Sequence, residues 1–382
     1  MKMIQVYNLI KHFPLKAGGF SFSQFQVHAI NNISFHINEG ETLGVVGESG
    51  CGKTTAGRLV LRMYEPTSGA CYIDTDENIV KKCEELREIF KKKKEELNKL
   101  KAEGYKISKE QLKSFNDLKN EYVSLADKYD IYHMDSRLLK NKRKEMQIVF
   151  QDPYSSLNPR MYVKDIIAEG IVEHTGIPWS EAYKEVYKLL DIVGLPKLSA
   201  NKYPHEFSGG QRQRISIARA LAVNPRFIVC DEATSALDVS IQAQILNLLI
   251  DLQKEFKLTY MFISHNLTVV QYMSDRIAVM YLGKIVELAT ADQLYNETKH
   301  PYSVALLSAI PVADPDYKFN VIPIEGDVPS PIFLPKGCYF RSRCKYAIEK
   351  CAVEEPKLED VGNGHLVACF NYIKNKNNIM QN

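Results

Sequence analysis

The chain has 382 residues, 45% hydrophobic and 25% charged, with 49 Lys and Arg against 46 Asp and Glu for a net charge of +3. That length suits two or three packed units and the composition is that of a globular protein, while so slight a positive balance gives no reason from charge alone to expect a nucleic-acid partner. No apolar run reaches the roughly 18 residues of a membrane span. MKMIQVYNLI also lacks the pattern of a secretory signal, so a reducing, cytosolic setting is expected.

Over residues 1–75, VYNLI, FQVHAI and NISFHI predict strands. TLGVV (42–46) predicts a short strand opening into a glycine-rich loop, and TTAGRLVLRMY (54–64) a helix behind it. Texture changes over 78–130. Ile79, Cys83, Leu86, Phe90, Leu97 and Leu100 follow heptad spacing, with Lys93 where one apolar residue is expected. AEGYK (102–106) interrupts the pattern, and Ser108 with Gln111 forms a capping box for a second helix. Phe115, Leu118, Tyr122, Leu125 and Tyr129 then repeat the spacing, which predicts a helical hairpin with arms of roughly 30 Å. Its 14 basic and 11 acidic residues read as a solvated surface, or as a face for anionic lipid or a partner.

From Met146 the pattern is again that of a packed domain. MQIVF predicts a strand, helices follow to about 222, and RFIVCD and TYMFIS predict buried strands. IAVMYLGKIVE (277–287) predicts a hairpin around its central glycine. HPY at 300, followed by Pro311, Pro315, Pro323, Pro329, Pro331 and Pro335, marks a boundary into a cysteine-bearing tail.

GESGCGKT, Gly47 to Thr54, satisfies G-x4-G-K-S/T between a strand and a helix. Such a loop wraps phosphates with backbone N–H groups; Lys53 would reach the β- and γ-phosphates and the Thr54 hydroxyl would hold Mg²⁺. FIVCDEAT (227–234) ends a buried strand in Asp231, suited to Mg²⁺, and then Glu232, suited to a general base. FSGGQRQRISIARAL (207–221) offers a second helix N-terminus free of bulky side chains.

Taken in order, GESGCGKT, SGGQ, IVCDEAT, SALD and ISH resemble the ATP-binding subunit of ABC transporters. The resemblance implies an α/β fold: a P-loop NTPase (RecA-like) core with a helical signature subdomain, here with an inserted hairpin and a small cysteine-containing extension. It divides the chain into a nucleotide-binding domain over 1–300, interrupted by 78–130, and an extension over 301–382. Phe13 would stack on adenine, and Gly47, Glu48, Ser49, Gly50, Cys51, Gly52, Lys53, Thr54 and Thr55 would hold the phosphates. Gln151 would touch Mg²⁺ together with Thr54 and Asp231. Ser208, Gly209, Gly210 and Gln211 would close on ATP bound to a partner subunit, with Asp238 across the same interface. Catalysis would fall to Lys53, Glu232 and His265.

QDPYSSLNPRM (151–161), HPYSVALLSAIP (300–311), EGDVPSP (325–331) and GC-x-F-x-x-RC (337–344) are similar to oligopeptide and dipeptide importers. That likeness implies a sister ATPase in a heterodimer (or a homodimer), two membrane permeases, a separate peptide-binding protein and a place at the cytoplasmic face of the membrane. Nickel importers are close relatives and stay open. Soluble ABC ATPases acting on DNA or ribosomes are the rival class, though the coils of the DNA-acting ones follow the position that Gln151 resembles, and the ribosomal ones normally carry two ATPase cassettes in one chain. The tail spaces Cys338, Cys344, Cys351 and Cys369 as C-x5-C-x6-C-x17-C, without the close pairs usual for zinc. By the same resemblance a 4Fe–4S cluster is expected there, with zinc or plain thiols as alternatives.

Overall fold

The computed structural model describes residues 1–15, 25–310 and 322–373. Pro311 and Pro315 of the expected boundary lie outside the described residues. The chain opens with β1 (Lys2–Pro14), β2 (Gln26–Asn38) and β3 (Thr42–Val46), then α1 (Lys53–Val60) and β4 (Ser68–Ile73). β2, β1 and β4 form an antiparallel sheet in that order. FQVHAI and NISFHI, expected as separate strands, are one strand. Asn32 (φ 56°) lies within it, and Asn8 (φ 48°) lies where the β1–β2 register shifts. Asparagine tolerates this left-handed conformation, so the surplus residue is absorbed as an irregularity in a continuous ladder.

The expected hairpin is present as α2 (Glu77–Ala102) and α3 (Lys109–Tyr129). At 1.5 Å per residue the arms run to about 39 and 32 Å, the first longer than expected. Both halves of the Ser108–Gln111 capping box form, at 2.9 and 3.1 Å. Phe90 stacks between Phe115 and Tyr122, at 5.2 and 5.4 Å. Lys93, the break in the heptad, stays tolerable because its ammonium donates to Ser114 on the facing arm. Val80 and Cys83 at the base pack on Ala70 and Tyr72 of β4, which fixes the hairpin to the small sheet.

The remaining elements are α4 (Ser136–Glu145), β5 (Met146–Val149), α5 (Pro153–Ser156), α6 (Val163–Thr175), α7 (Trp179–Ile192), α8 (Gly209–Leu221), β6 (Phe227–Asp231), α9 (Val239–Phe256) and β7 (Thr259–Ile263). They are followed by α10 (Leu267–Met273), β8 (Arg276–Tyr281), β9 (Lys284–Thr290), α11 (Ala291–Asn296), α12 (Pro301–Ser308), α13 (Lys350–Val353), β10 (Glu359–Asp360) and β11 (Leu366–Val367). The large sheet runs β10-β11-β9-β8-β3-β7-β6-β5. Its segment from β8 to β5 is parallel. Every residue of β3, β6 and β7 is buried, as parallel strands covered on both faces require. β8 and β9 form the expected hairpin, with Leu282 and Gly283 both at positive φ in the two-residue turn.

The tail adds to this sheet, since β11 pairs antiparallel with β9. Tyr302 and Phe340 pack with Tyr281 in the main core, their rings 4.8 and 5.3 Å from it. Beside them the buried Glu287 accepts from His365 at 2.7 Å and from the amides of Lys299 and His300. HPY, expected as part of a boundary, opens α12, with His300 as its cap and Pro301 in the first turn.

Candidate functional site

In a parallel sheet, ligands bind at the carboxyl ends of the strands. β3, β7 and β6 are neighbours, so the loops leaving them meet at one edge: Gly47–Gly52 after β3, Asp231 and Glu232 ending β6, and His265 after β7. β5, beyond β6, delivers Gln151 to the same edge. A cavity of about 630 Å³ opens there. Phe13, Ser49, Gly50, Gly52, Lys53, Thr54, Thr55, Gln151, Glu232 and His265 all line it.

The glycine loop is shaped by close backbone approach. Gly47 sits at φ 150°, and a Cβ there would lie 2.2 Å from the carbonyl oxygen of Met280. Lys53 Nζ donates to the carbonyls of Gly47 and Glu48, at 2.8 and 3.1 Å. The Thr54 hydroxyl donates to Asp231 at 2.7 Å, and Arg58 stands 3.6 Å from the other carboxylate oxygen. Burial raises the Asp231 pKa, against the opposing pull of Thr54 and Arg58. An oxygen donor set around a buried carboxylate suits a hard divalent cation such as Mg²⁺, which would relieve that desolvation.

Glu232 is held in the left-handed region at φ 48°, a conformation costing on the order of 1–3 kcal/mol for such a side chain. Its amide donates to the Ile263 carbonyl at 3.0 Å, which pins the backbone to the end of β7. Its carboxylate accepts from Gln151 at 3.0 Å and lies 3.1 Å from His265 Nδ1. Three residues from three strand ends are thus joined through one carboxylate.

Phe13, among the lining residues, is edge-on to Tyr64 at 5.5 Å with the Lys11 ammonium 4.8 Å above its ring. Ser208–Gln211 and Asp238 do not line this cavity. Ser208 and Gln211 form a capping box on α8, and Asp238 caps α9, its carboxyl held below the usual range by the Ile241 amide. Three further lining residues, Val27, Ala29 and Pro331, escaped the motif reading. Pro331 belongs to EGDVPSP and accepts from the His28 amide at 2.9 Å. The peculiarity of that stretch was the available signal, but nothing in it pointed at the nucleotide loop.

All eight cysteines are free thiols. Cys51 is buried in the glycine loop and Cys230 in β6, where burial pushes its thiol up to about 12. In the tail, Cys338 donates its amide to the Cys351 carbonyl at 2.8 Å. Burial first, then neighbouring thiols, push Cys344 up to about 11 and Cys369 up to about 12. Among the described residues no three His, Cys, Asp or Glu gather in a way that could hold a metal ion. The expected 4Fe–4S cluster on Cys338, Cys344, Cys351 and Cys369 is therefore not supported: the thiols share a neighbourhood, but no three of them gather in a metal-holding arrangement.

Comparison with known proteins shows the family. Residues 30–139 and 123–235 match the family model described as ABC transporter, and 286–351 match that of the oligopeptide/dipeptide transporter C-terminal region. The oligopeptide transport ATP-binding protein AppF of Bacillus subtilis (strain 168) is 42% identical, over 97% of this chain and 97% of that protein. The dipeptide transport ATP-binding protein DppF of Haemophilus influenzae is 40% identical, over 96% of each. The fold is shared with a dimeric ATP-binding cassette, MJ0796, in a post-hydrolysis state bound to ADP and Pi, at TM-score 0.55 and 23% identity over 76% of this chain and 99% of that one. It is also shared with cbiO1 from Clostridium perfringens, at TM-score 0.53 and 22% identity over 80% and 93%. The chain belongs to the ABC transporter family, among the ATP-binding proteins of oligopeptide and dipeptide transporters.

Proposed function

We infer that this chain is the ATP-hydrolysing subunit of a binding-protein-dependent importer of oligopeptides or dipeptides. The observation that carries it is the joining of Gln151, Glu232 and His265 on one carboxylate beside the Lys53 loop. In this reading Phe13 stacks on adenine, and the loop from Gly47 to Thr55 takes the phosphates through amides other than that of Glu48, which donates to Tyr302. Lys53 turns its ammonium from the loop carbonyls to the β- and γ-phosphates. Glu232 polarises the attacking water, and His265 orients the γ-phosphate. Thr54, Asp231 and Gln151 would hold Mg²⁺, which supplies neutralisation of phosphate charge when bound.

Ser208, Gly209, Gln211 and Asp238, exposed and not lining the cavity, and the half-buried Gly210 face a second ATPase subunit, a sister chain in a heterodimer or a second copy. Closure of that pair around ATP drives two permeases, which receive peptide from a binding protein outside the membrane. Residues 1–300 make the nucleotide-binding domain with a helical signature subdomain, 78–130 an inserted hairpin and 301–382 the extension. Among the described residues no helix is long and apolar enough to cross a membrane, in keeping with a peripheral seat at the cytoplasmic face. The test is phosphate release by the chain reconstituted with its permeases and second ATPase in vesicles. Peptide-loaded binding protein should stimulate it. Stimulation by DNA or ribosomes instead, or by a nickel-loaded binding protein alone, overturns the reading.

A further inference from the structure

Glu48 is an oddity of the phosphate loop: a carboxylate at the second position of a segment built to gather negative charge. Its three polar groups are all engaged. The backbone amide donates to the hydroxyl of the fully buried Tyr302 at 3.0 Å. The carbonyl accepts from Lys53 at 3.1 Å. The carboxylate takes two parallel bonds from Arg343, at 2.9 and 3.2 Å. Tyr302 and Arg343 both come from the C-terminal segment, Arg343 lying 295 positions away in the chain.

Arg343 is built into place. Its side chain is 8% exposed, its Nε donates to the Gly326 carbonyl at 3.1 Å, and its guanidinium lies 5.9 Å from the Tyr281 ring centroid. Arg343 lies in a short 3-10 turn (Arg341–Arg343), and the chain leading into it is constrained: Gly337 sits at φ 72°, and a Cβ there would lie 2.3 Å from the Cys351 carbonyl oxygen. A bidentate guanidinium–carboxylate pair in such a setting cancels the charge of Glu48 locally.

We propose that Arg343 is a positioning residue for the phosphate loop, which neutralises Glu48 so that its carboxylate does not repel the phosphates of ATP. The C-terminal segment thereby sets nucleotide affinity directly, in addition to packing on the core. The inference rests on the ATP-binding reading above and predicts a sign that a merely structural tether would not produce. Removing the cation leaves a bare carboxylate in the loop, whereas removing the carboxylate leaves an unpaired guanidinium beside it.

The experiment measures the Kd of Mg-ATP for the full chain, by displacement of a fluorescent ATP analogue. Arg343→Met should weaken binding by about five- to tenfold, the scale of one largely water-screened charge a few ångströms from the ligand. Glu48→Gln should tighten it by a similar factor, and the double variant should return within about twofold of the wild type. Should Arg343→Met fail to fold, Glu48→Gln alone decides: tighter binding supports the inference, weaker binding overturns it. Unchanged affinity in Arg343→Met, or a double variant as weak as Arg343→Met, also overturns it while the ATP-binding reading stands. A wild-type chain that binds no Mg-ATP overturns both.

Discussion

The nucleotide cavity and the cysteine tail were both marked by short motifs, yet they behave differently in the fold. In the cavity, one unbroken run from Gly47 to Thr54 carries its glycines, lysine and hydroxyl together on a single strand–loop–helix turn. The strand ends then bring Asp231, Glu232 and His265 to it, because neighbouring parallel strands share one carboxyl edge. In the tail, four cysteines are spread along mostly irregular chain, and no regular element sets their mutual distance. There the contacts that organise the segment are Tyr302 and Phe340 in the core, the Glu287–His365 pair, and Arg343 on Glu48 of the phosphate loop. A contiguous motif carries its own geometry, and a dispersed one waits on everything around it.

Glu232→Gln should break the cavity side of this contrast most severely. Loss of a general base costs about 10²–10⁴-fold in turnover. Steady-state phosphate release should fall on that scale while bound ATP persists, so that the dimer accumulates closed in size-exclusion runs with Mg-ATP. Turnover within a few-fold of wild type would place the base elsewhere.

A smaller effect tests how the tail is held. His300 is fully buried, and burial lowers its pKa to about 4. The unfolded chain, titrating near 6.5, then binds more protons than the folded one between those values. Stability is therefore full above about pH 6.5 and falls as pH drops toward 4, by about 3 kcal/mol from this group. Urea midpoints across this range should show the loss, and it should shrink in His300→Asn. An equal slope in the variant would assign the loss to other groups.

Cys344→Ser should do least. If the tail is organised by its core contacts and not by sulfur ligation, ATP turnover should change by less than about twofold. Loss of bound iron in the variant, with loss of transport, would restore the cluster reading.

Much of the fold is legible in residue order. The hairpin was readable from its heptads and from the Ser108–Gln111 box, since both act over three or four residues. Lys93 looked like a defect, and only the facing Ser114 explains it. The split of FQVHAI from NISFHI failed because a bulge at Asn32 is decided by the partner strand β1. Pro331 and Arg343 were visible as parts of unusual stretches, but their target could not be read, because the contact spans most of the chain.

What the sequence by itself determined is the chemistry of the phosphate loop, the acids that close β6, and the family to which the chain belongs. These depend on residue order and on short-range backbone preference. Tertiary structure alone decided that Glu232 would gather Gln151 and His265, that no three of the four thiols would gather in a metal-holding arrangement, and that the tail would reach Glu48. Each is a contact between segments far apart in the chain, and its geometry follows from strand order and packing, which local sequence does not specify.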